Sequence, residues 1–183
     1  MKTVSFDSVI WKSSTAMKLL THFMENPTRE FYGKEIAERT DVSVGAAHNH
    51  LKKLSHTGLL KTRKKGRMTF YKLKKENEII KKLKTAYNLS KPLNKKLKEV
   101  GKKLDVEIYL YGSVARGEDT KGSDWDLLVI GDVNSSRLQG ELDSIETDET
   151  LKPSLYSPEE WNRVEEEDPA FYERVEKDKI RLV

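Results

Sequence analysis

Gly112-Ser113-Val114-Ala115-Arg116-Gly117, and after a short spacer Ser123-Asp124-Trp125-Asp126, is the stretch on which the reading of this 183-residue chain turns. It is entered from a strand. Val106, Ile108 and Leu110 alternate with Glu107, Tyr109 and Tyr111, the period-2 pattern of a half-buried β-strand. A second apolar strand, Leu127 to Ile130, leaves the acidic doublet. Gly112 lets the chain turn sharply and lets a ligand approach the backbone. Ser113, with the N–H groups that open the next helix, can cradle phosphate oxygens. Arg116 can add charge to that cradle or brace the loop. Asp124 and Asp126 stand two apart on a strand, so both carboxylates point to one side. Two carboxylates on one side can hold Mg2+ together with nucleotide phosphates.

This pair of motifs resembles the GSxARG…SDxD signature of nucleotidyltransferases of the DNA polymerase β type, in their minimal form. The resemblance covers about residues 90–183. It implies a small mixed sheet with helices on one side, a nucleoside triphosphate ligand and Mg2+. It implies that Gly112 and Ser113 bind the triphosphate and that Asp124 and Asp126 hold the metals. These two aspartates are the candidate catalytic residues, and the residue reading adds Arg116 to the nucleotide-binding candidates. Active members place a third carboxylate on a neighbouring strand. Here a helix over about 135–147 leads to the expected third strand, Thr150-Leu151-Lys152-Pro153-Ser154-Leu155-Tyr156, which holds no carboxylate. Lys152 sits about where the acid belongs, and Asp148 and Glu149 fall just before the strand. Ser157-Pro158-Glu159-Glu160 then opens a helix with a cap, an N1 proline and two acids near its positive end. Trp161, Val164, Phe171, Tyr172 and Val175 are expected on the sheet, Glu165 to Asp168 on a solvated face, and Ile180 to Val183 in a short closing strand.

Upstream, Lys91 to Leu104 reads as a helix with the stripe Leu93, Leu97, Val100 and Leu104, Pro92 in its first turn, Ser90 as its cap and Gly101 as a weak point. Before it, Ile79, Ile80 and Leu83 mark another helix, interrupted at Asn88 to Pro92 and suited to pairing two copies of the chain.

The N-terminal part has a different character. Ser13, Ser14 and Thr15 offer caps to a helix carrying Ala16, Leu19, Leu20 and Phe23 on one face. A second helix runs from about Lys34 to Arg39. The turn Thr40-Asp41-Val42-Ser43 leads to a third helix with Val44, Ala47, Leu51 and Leu54 as its core stripe. Gly45, His48, Asn49 and Lys52 form an opposite, polar stripe. Such a face can enter a major groove, where Asn pairs with adenine and Lys reaches guanine or phosphate. Strands at Leu59 to Arg63 and Met68 to Leu73 flank a basic tip, Lys64-Lys65-Gly66-Arg67, with Arg63 beside it. Beside phosphates such a tip would be neutralised with release of counterions. The order of elements looks like a winged helix-turn-helix domain. A three-helix interaction domain, or a merely solvated lysine-rich surface, remains the alternative.

Charge follows the same division. Residues 1–100 hold 23 Lys and Arg against 9 Asp and Glu, and residues 101–183 hold 11 against 21, within a net charge of +4. A basic half suits a polyanion. Absence of cysteine excludes disulfides and thiolate metal sites. No apolar run is long enough to span a bilayer, and the stretch MKTVSFDSVIWKSS has no leader-like apolar core, so a cytoplasmic location is expected. The expectation is an α+β chain. A winged helix-turn-helix domain occupies 1–75, a basic helical connector 76–90, and a nucleotidyltransferase-like mixed sheet with helices 91–183. DNA and a nucleotide are the expected partners, and a second copy or a small helical protein are further candidates. The functional expectation is a DNA-binding regulator with an NTP–Mg2+ domain. An active nucleotidyltransferase lacking its third acid, or an antitoxin-like binding module, are the alternatives.

Overall fold

Polar caps and short turns cut the chain into sixteen elements among the residues, 10–183, that the computed structural model describes. Residues 1–9, part of the stretch scanned for a leader, lie outside the described residues. Two units form, one reaching Ser90 and the other starting at Lys91.

In the first unit, Ser14 caps α1 (Thr15–Glu25) by accepting the Met17 N–H. Strand β1 (Glu30–Tyr32), α2 (Gly33–Thr40) and α3 (Val44–His56) follow. Asp41, in the left-handed region at φ 51°, closes α2, and Ser43 caps α3 through the Ala46 N–H. Strands β2 (Leu60–Lys65) and β3 (Met68–Leu73) pair as a hairpin, and β1 adds to β3, giving an antiparallel order β1-β3-β2. Leu19, Phe23, Phe31, Ile36, Leu51 and Leu73 fill the core, with Ile80 of α4 (Glu78–Ser90).

Several expectations change here. Strand β1 was not read from the sequence because three residues are too short to show alternation; Phe31 is nonetheless fully buried, edge-on to Phe23 at 5.6 Å. Val44 is in phase with Ala47 and Leu51, yet the first turn of α3 leaves it 53% exposed. Lys64 and Lys65 are strand residues facing Thr69 and Met68, so the turn is only Gly66-Arg67. The α4 helix is not interrupted at Asn88; it runs to Ser90, whose hydroxyl donates back to the Tyr87 carbonyl at 2.7 Å instead of capping the next helix. Ile80 and Leu83 turn inward, which leaves Ile79 outside. The helix expected as a separate connector is part of the first unit's core.

The second unit opens with α5 (Pro92–Leu104), capped at Lys91 with Pro92 in its first turn. Leu93, Leu97, Val100 and Leu104 are all buried. Then come β4 (Glu107–Tyr111), α6 (Gly112–Arg116), β5 (Trp125–Ile130), α7 (Ser135–Asp143), β6 (Leu151–Tyr156), α8 (Pro158–Glu167), α9 (Pro169–Asp178) and β7 (Ile180–Arg181). The sheet order is β6-β5-β4-β7, with β5 and β6 parallel and the other pairs antiparallel. A Ser157–Glu160 capping box starts α8, and Glu165 to Asp168 are exposed as expected, with Asp168 also capping α9 through the Phe171 N–H.

Helices cover both faces of this sheet, not one. Ile108, Leu110, Leu127 and Val129 point to the α5 side and are fully buried. Tyr111 and Leu128 point the other way, into a cluster with Trp161, Val164 and Val175 of α8 and α9. Both faces of β5 are therefore occupied, which explains the continuous apolar run Leu127 to Ile130.

Gly101 is a packing requirement and not a weak point. A Cβ there would collide with Val183 Cγ1 and lie 3.1 Å from the Val106 carbonyl oxygen. Gly140, exposed in the middle of α7, has nothing within 4 Å of the same position. Gly101→Ala is expected to lower unfolding free energy by about 1–3 kcal/mol through overpacking. Gly140→Ala is expected to raise it by about 0.5–1 kcal/mol through helix propensity. Urea unfolding curves of the two variants measure both signs.

Candidate functional site

The site forms where β4 gives way to α6, beside the start of β5. Backbone register sets its composition. Tyr111 lies opposite Asp126 across β4–β5, and Asp126 opposite Lys152 across β5–β6. Facing residues share a side of the sheet, so Tyr111, Asp126 and Lys152 all project to the α8–α9 side. Ser154, two residues beyond Lys152, joins them, with its Oγ 3.4 Å from the Tyr111 hydroxyl.

The bend and the doublet are in contact. Gly112 has φ 73°, a conformation that L side chains rarely adopt. A Cβ at this position would run into Oδ2 of Asp126 and lie 3.3 Å from its Cγ. Glycine thus serves twice, allowing the turn and allowing the carboxylate to rest against the backbone. No side chain caps the N-terminus of α6, which begins at Gly112 and Ser113. Asp124 stands one residue before β5, not within it, yet its carboxylate reaches the same side and accepts from Lys152 Nζ at 2.6 Å.

The third strand supplies the lysine and not an acid. Glu149 cannot substitute. It accepts from Lys91 Nζ at 2.6 Å, and that ammonium sits 5.5 Å from the ring centre of Trp125. Trp125 lies between the two aspartates in sequence and therefore points to the opposite face. Asp148 is exposed ahead of the strand.

Arg116 makes ion pairs with Glu118 at 2.8 Å and with Asp178 at the end of α9. Of the two roles read from the sequence, these contacts describe bracing of the loop. Arg174 was missed altogether. It lies on α9, 5.2 Å from the Phe171 ring centre, and its charge acts on Asp126. Only the folded packing of α9 brings it there, and no local pattern around residue 174 marks it.

Burial pushes the Asp126 carboxyl above the ordinary aspartate range, and the neighbouring Asp124 charge adds to the shift. Lys152, Arg174 and Arg116 oppose it. The Lys152 ammonium is held above its ordinary range by its hydrogen bond to Asp124.

Among the described residues no group of three His, Asp or Glu side chains gathers as a metal cage. Mg2+ needs no such cage, because one or two carboxylates and substrate phosphates suffice for it. The donors present fit one Mg2+ carried on a phosphate chain.

In the first unit, Gly45, His48, Asn49 and Lys52 are all exposed on α3, which lies against β2. Lys64, Lys65 and Arg67 are exposed at the hairpin end. Arg63 is engaged otherwise: it pairs with Glu30 Oε2 at 2.5 Å and lies over the Phe70 ring at 5.5 Å.

Residues 91–182 match the family model described as a nucleotidyltransferase domain. The chain belongs to that family. No curated protein matches it. Among the described residues, no helix is long and apolar enough to cross a membrane.

The raised Asp126 carboxyl carries a stability consequence. The unfolded chain loses this proton near the ordinary aspartate pKa and the folded chain only at higher pH. Folding stability therefore falls as pH rises through that window, and the loss stays constant above it. Asp126→Asn removes the effect, so the variant is expected to gain thermal stability over the wild type as pH rises from about 3.9, the ordinary aspartate value, to a plateau. Melting curves across pH check this. A difference between the two proteins that does not vary with pH contradicts it.

Proposed function

We propose that the second unit binds a nucleoside triphosphate with Mg2+ and that the first unit is a winged helix-turn-helix module that binds DNA, the two together making a nucleotide-responsive regulator. One observation carries the nucleotide reading: the backbone at Gly112 lies against the Asp126 carboxylate, so a phosphate chain laid along the start of α6 would reach the acidic pair. Gly112 and Ser113 hold phosphate oxygens, Asp124 and Asp126 take the metal side, and Mg2+ would offset the charge between carboxylates and phosphates. Arg174 adds positive charge at the rim, while Arg116 keeps the loop in position. The family match supports the ligand class.

Binding without efficient transfer is the form this reading takes. Proton removal from an acceptor hydroxyl needs a base beside the metal. The position on β6 beside the doublet carries Lys152, whose ammonium donates and does not accept. Nucleotidyl transfer to a protein or small molecule is the second reading, favoured only by the intact Asp124–Asp126 pair.

DNA binding is supported by the exposed polar face of α3, which presents Asn49 and Lys52, and by the exposed Lys64, Lys65 and Arg67 at the neighbouring hairpin. Val44, exposed at the start of the same helix, adds an apolar group of the kind that contacts a thymine methyl.

Calorimetric titration of the full chain with each common ribonucleoside triphosphate and Mg2+ is expected to show binding by the wild type and weaker binding by the Asp124→Asn/Asp126→Asn double variant, which lacks both the carboxylates for Mg2+ and the partner of Lys152. Equal heats from both proteins, or none from the wild type, reject the nucleotide site. For DNA, the dependence of log affinity on log salt is expected to become shallower by about 2.7 when Lys64, Lys65 and Arg67 are all changed to alanine, at ~0.9 for each phosphate no longer neutralised. An unchanged slope removes the hairpin from the interface.

A further inference from the structure

We propose that the Lys152 ammonium is a standing cation of the nucleotide site, holding phosphate beside Asp124 so that nucleotide binding depends only weakly on Mg2+. This rests on the nucleotide-binding reading above. Its basis is the placement of the lysine. The parallel β5–β6 register sets Lys152 opposite Asp126, and its Nζ is 2.6 Å from Asp124 Oδ2. The ammonium is therefore paired with Asp124 and lies on the same side of the sheet as Asp126, one strand away.

Charge around the site favours the same conclusion. Without a cation, Asp124 and Asp126 would repel an incoming polyanion. Arg116 is spent on Glu118 and Asp178. Lys152 and Arg174 remain to offset the two carboxylates. An ammonium carries three donors on a flexible stem, so one can stay on Asp124 while another turns to a phosphate oxygen. Exposure permits this, since the Lys152 side chain is 60% accessible and that of Asp124 35%. The pair faces the solvent from which a ligand arrives. A lone exposed ion pair with no ligand would have little effect on stability. Its use lies in binding.

The test titrates ATP and GTP into the full-length protein with excess Mg2+ and again with EDTA. It compares the wild type with Lys152→Met and Lys152→Glu, and a thermal melt confirms that each variant is folded. The wild type is expected to keep measurable affinity in EDTA. Lys152→Met is expected to lose about tenfold to a hundredfold more affinity in EDTA than in Mg2+, the scale of one charge-assisted hydrogen bond. Lys152→Glu is expected to bind only with Mg2+. Wild-type binding that vanishes in EDTA, or a Lys152→Met profile identical to the wild type, overturns the proposal and leaves the nucleotide reading standing. No wild-type binding even with Mg2+ overturns both.

Discussion

The contact between the Gly112 backbone and the Asp126 carboxylate is the constraint around which the second unit is arranged. It requires a residue without Cβ, in a positive-φ conformation, at the junction of β4 and α6. It also requires that β4 and β5 be antiparallel neighbours in the register that faces Tyr111 with Asp126. The remaining elements maintain that register. Both faces of β5 are covered, by α5 on one side and by α8 and α9 on the other. Arg116 ties α6 to the end of α9, so the bend is fixed at both its ends.

Electrostatics follows from this geometry. Pressing a carboxylate against backbone removes water from it, and a second carboxylate two residues away adds repulsion. A site of this kind stores unfavourable charge that a cation or a metal-bearing ligand can relieve. Stability is given up locally, as it is at many functional sites. Lys152 and Arg174 reduce the local cost from outside, and neither acts as a carboxylate would. In the proposed reading, a lysine in place of the third acid favours binding over turnover.

Much of this was legible in the residue pattern. The glycine–serine bend, the doublet, the alternating strand before them and the α5 stripe each carry a local signal of period or spacing. So did the caps Ser14, Ser43 and Ser157, because a Ser beside a helix start bonds a backbone N–H two or three residues on, whereas Ser90 lies inside the preceding helix and bonds back to Tyr87. Other features had no local signature. Strand β1 is three residues long and exists because Phe31 is needed in the core and β3 has a free edge to offer. Arg174 reaches the site only through the packing of α9. Glu149 is turned away by Lys91, a residue 58 positions distant in the chain. Gly101 read as a helix weakness, since propensity alone penalises glycine, whereas the approach of Val106 and Val183 demands it. Position Lys152 was visible as a departure from the family pattern, but its bond to Asp124 was not.

The central claim, that the bend and the aspartate pair form one phosphate-gripping unit through their contact at Gly112, is tested most directly by Gly112→Ala. Calorimetric affinity for ATP with Mg2+ would be compared with that of the wild type, with circular dichroism to verify the fold. The added methyl must displace the Asp126 carboxylate, and a loss of at least about tenfold, or roughly 1.4 kcal/mol, is predicted in a protein that remains folded. Unaltered affinity in a folded variant would contradict the account.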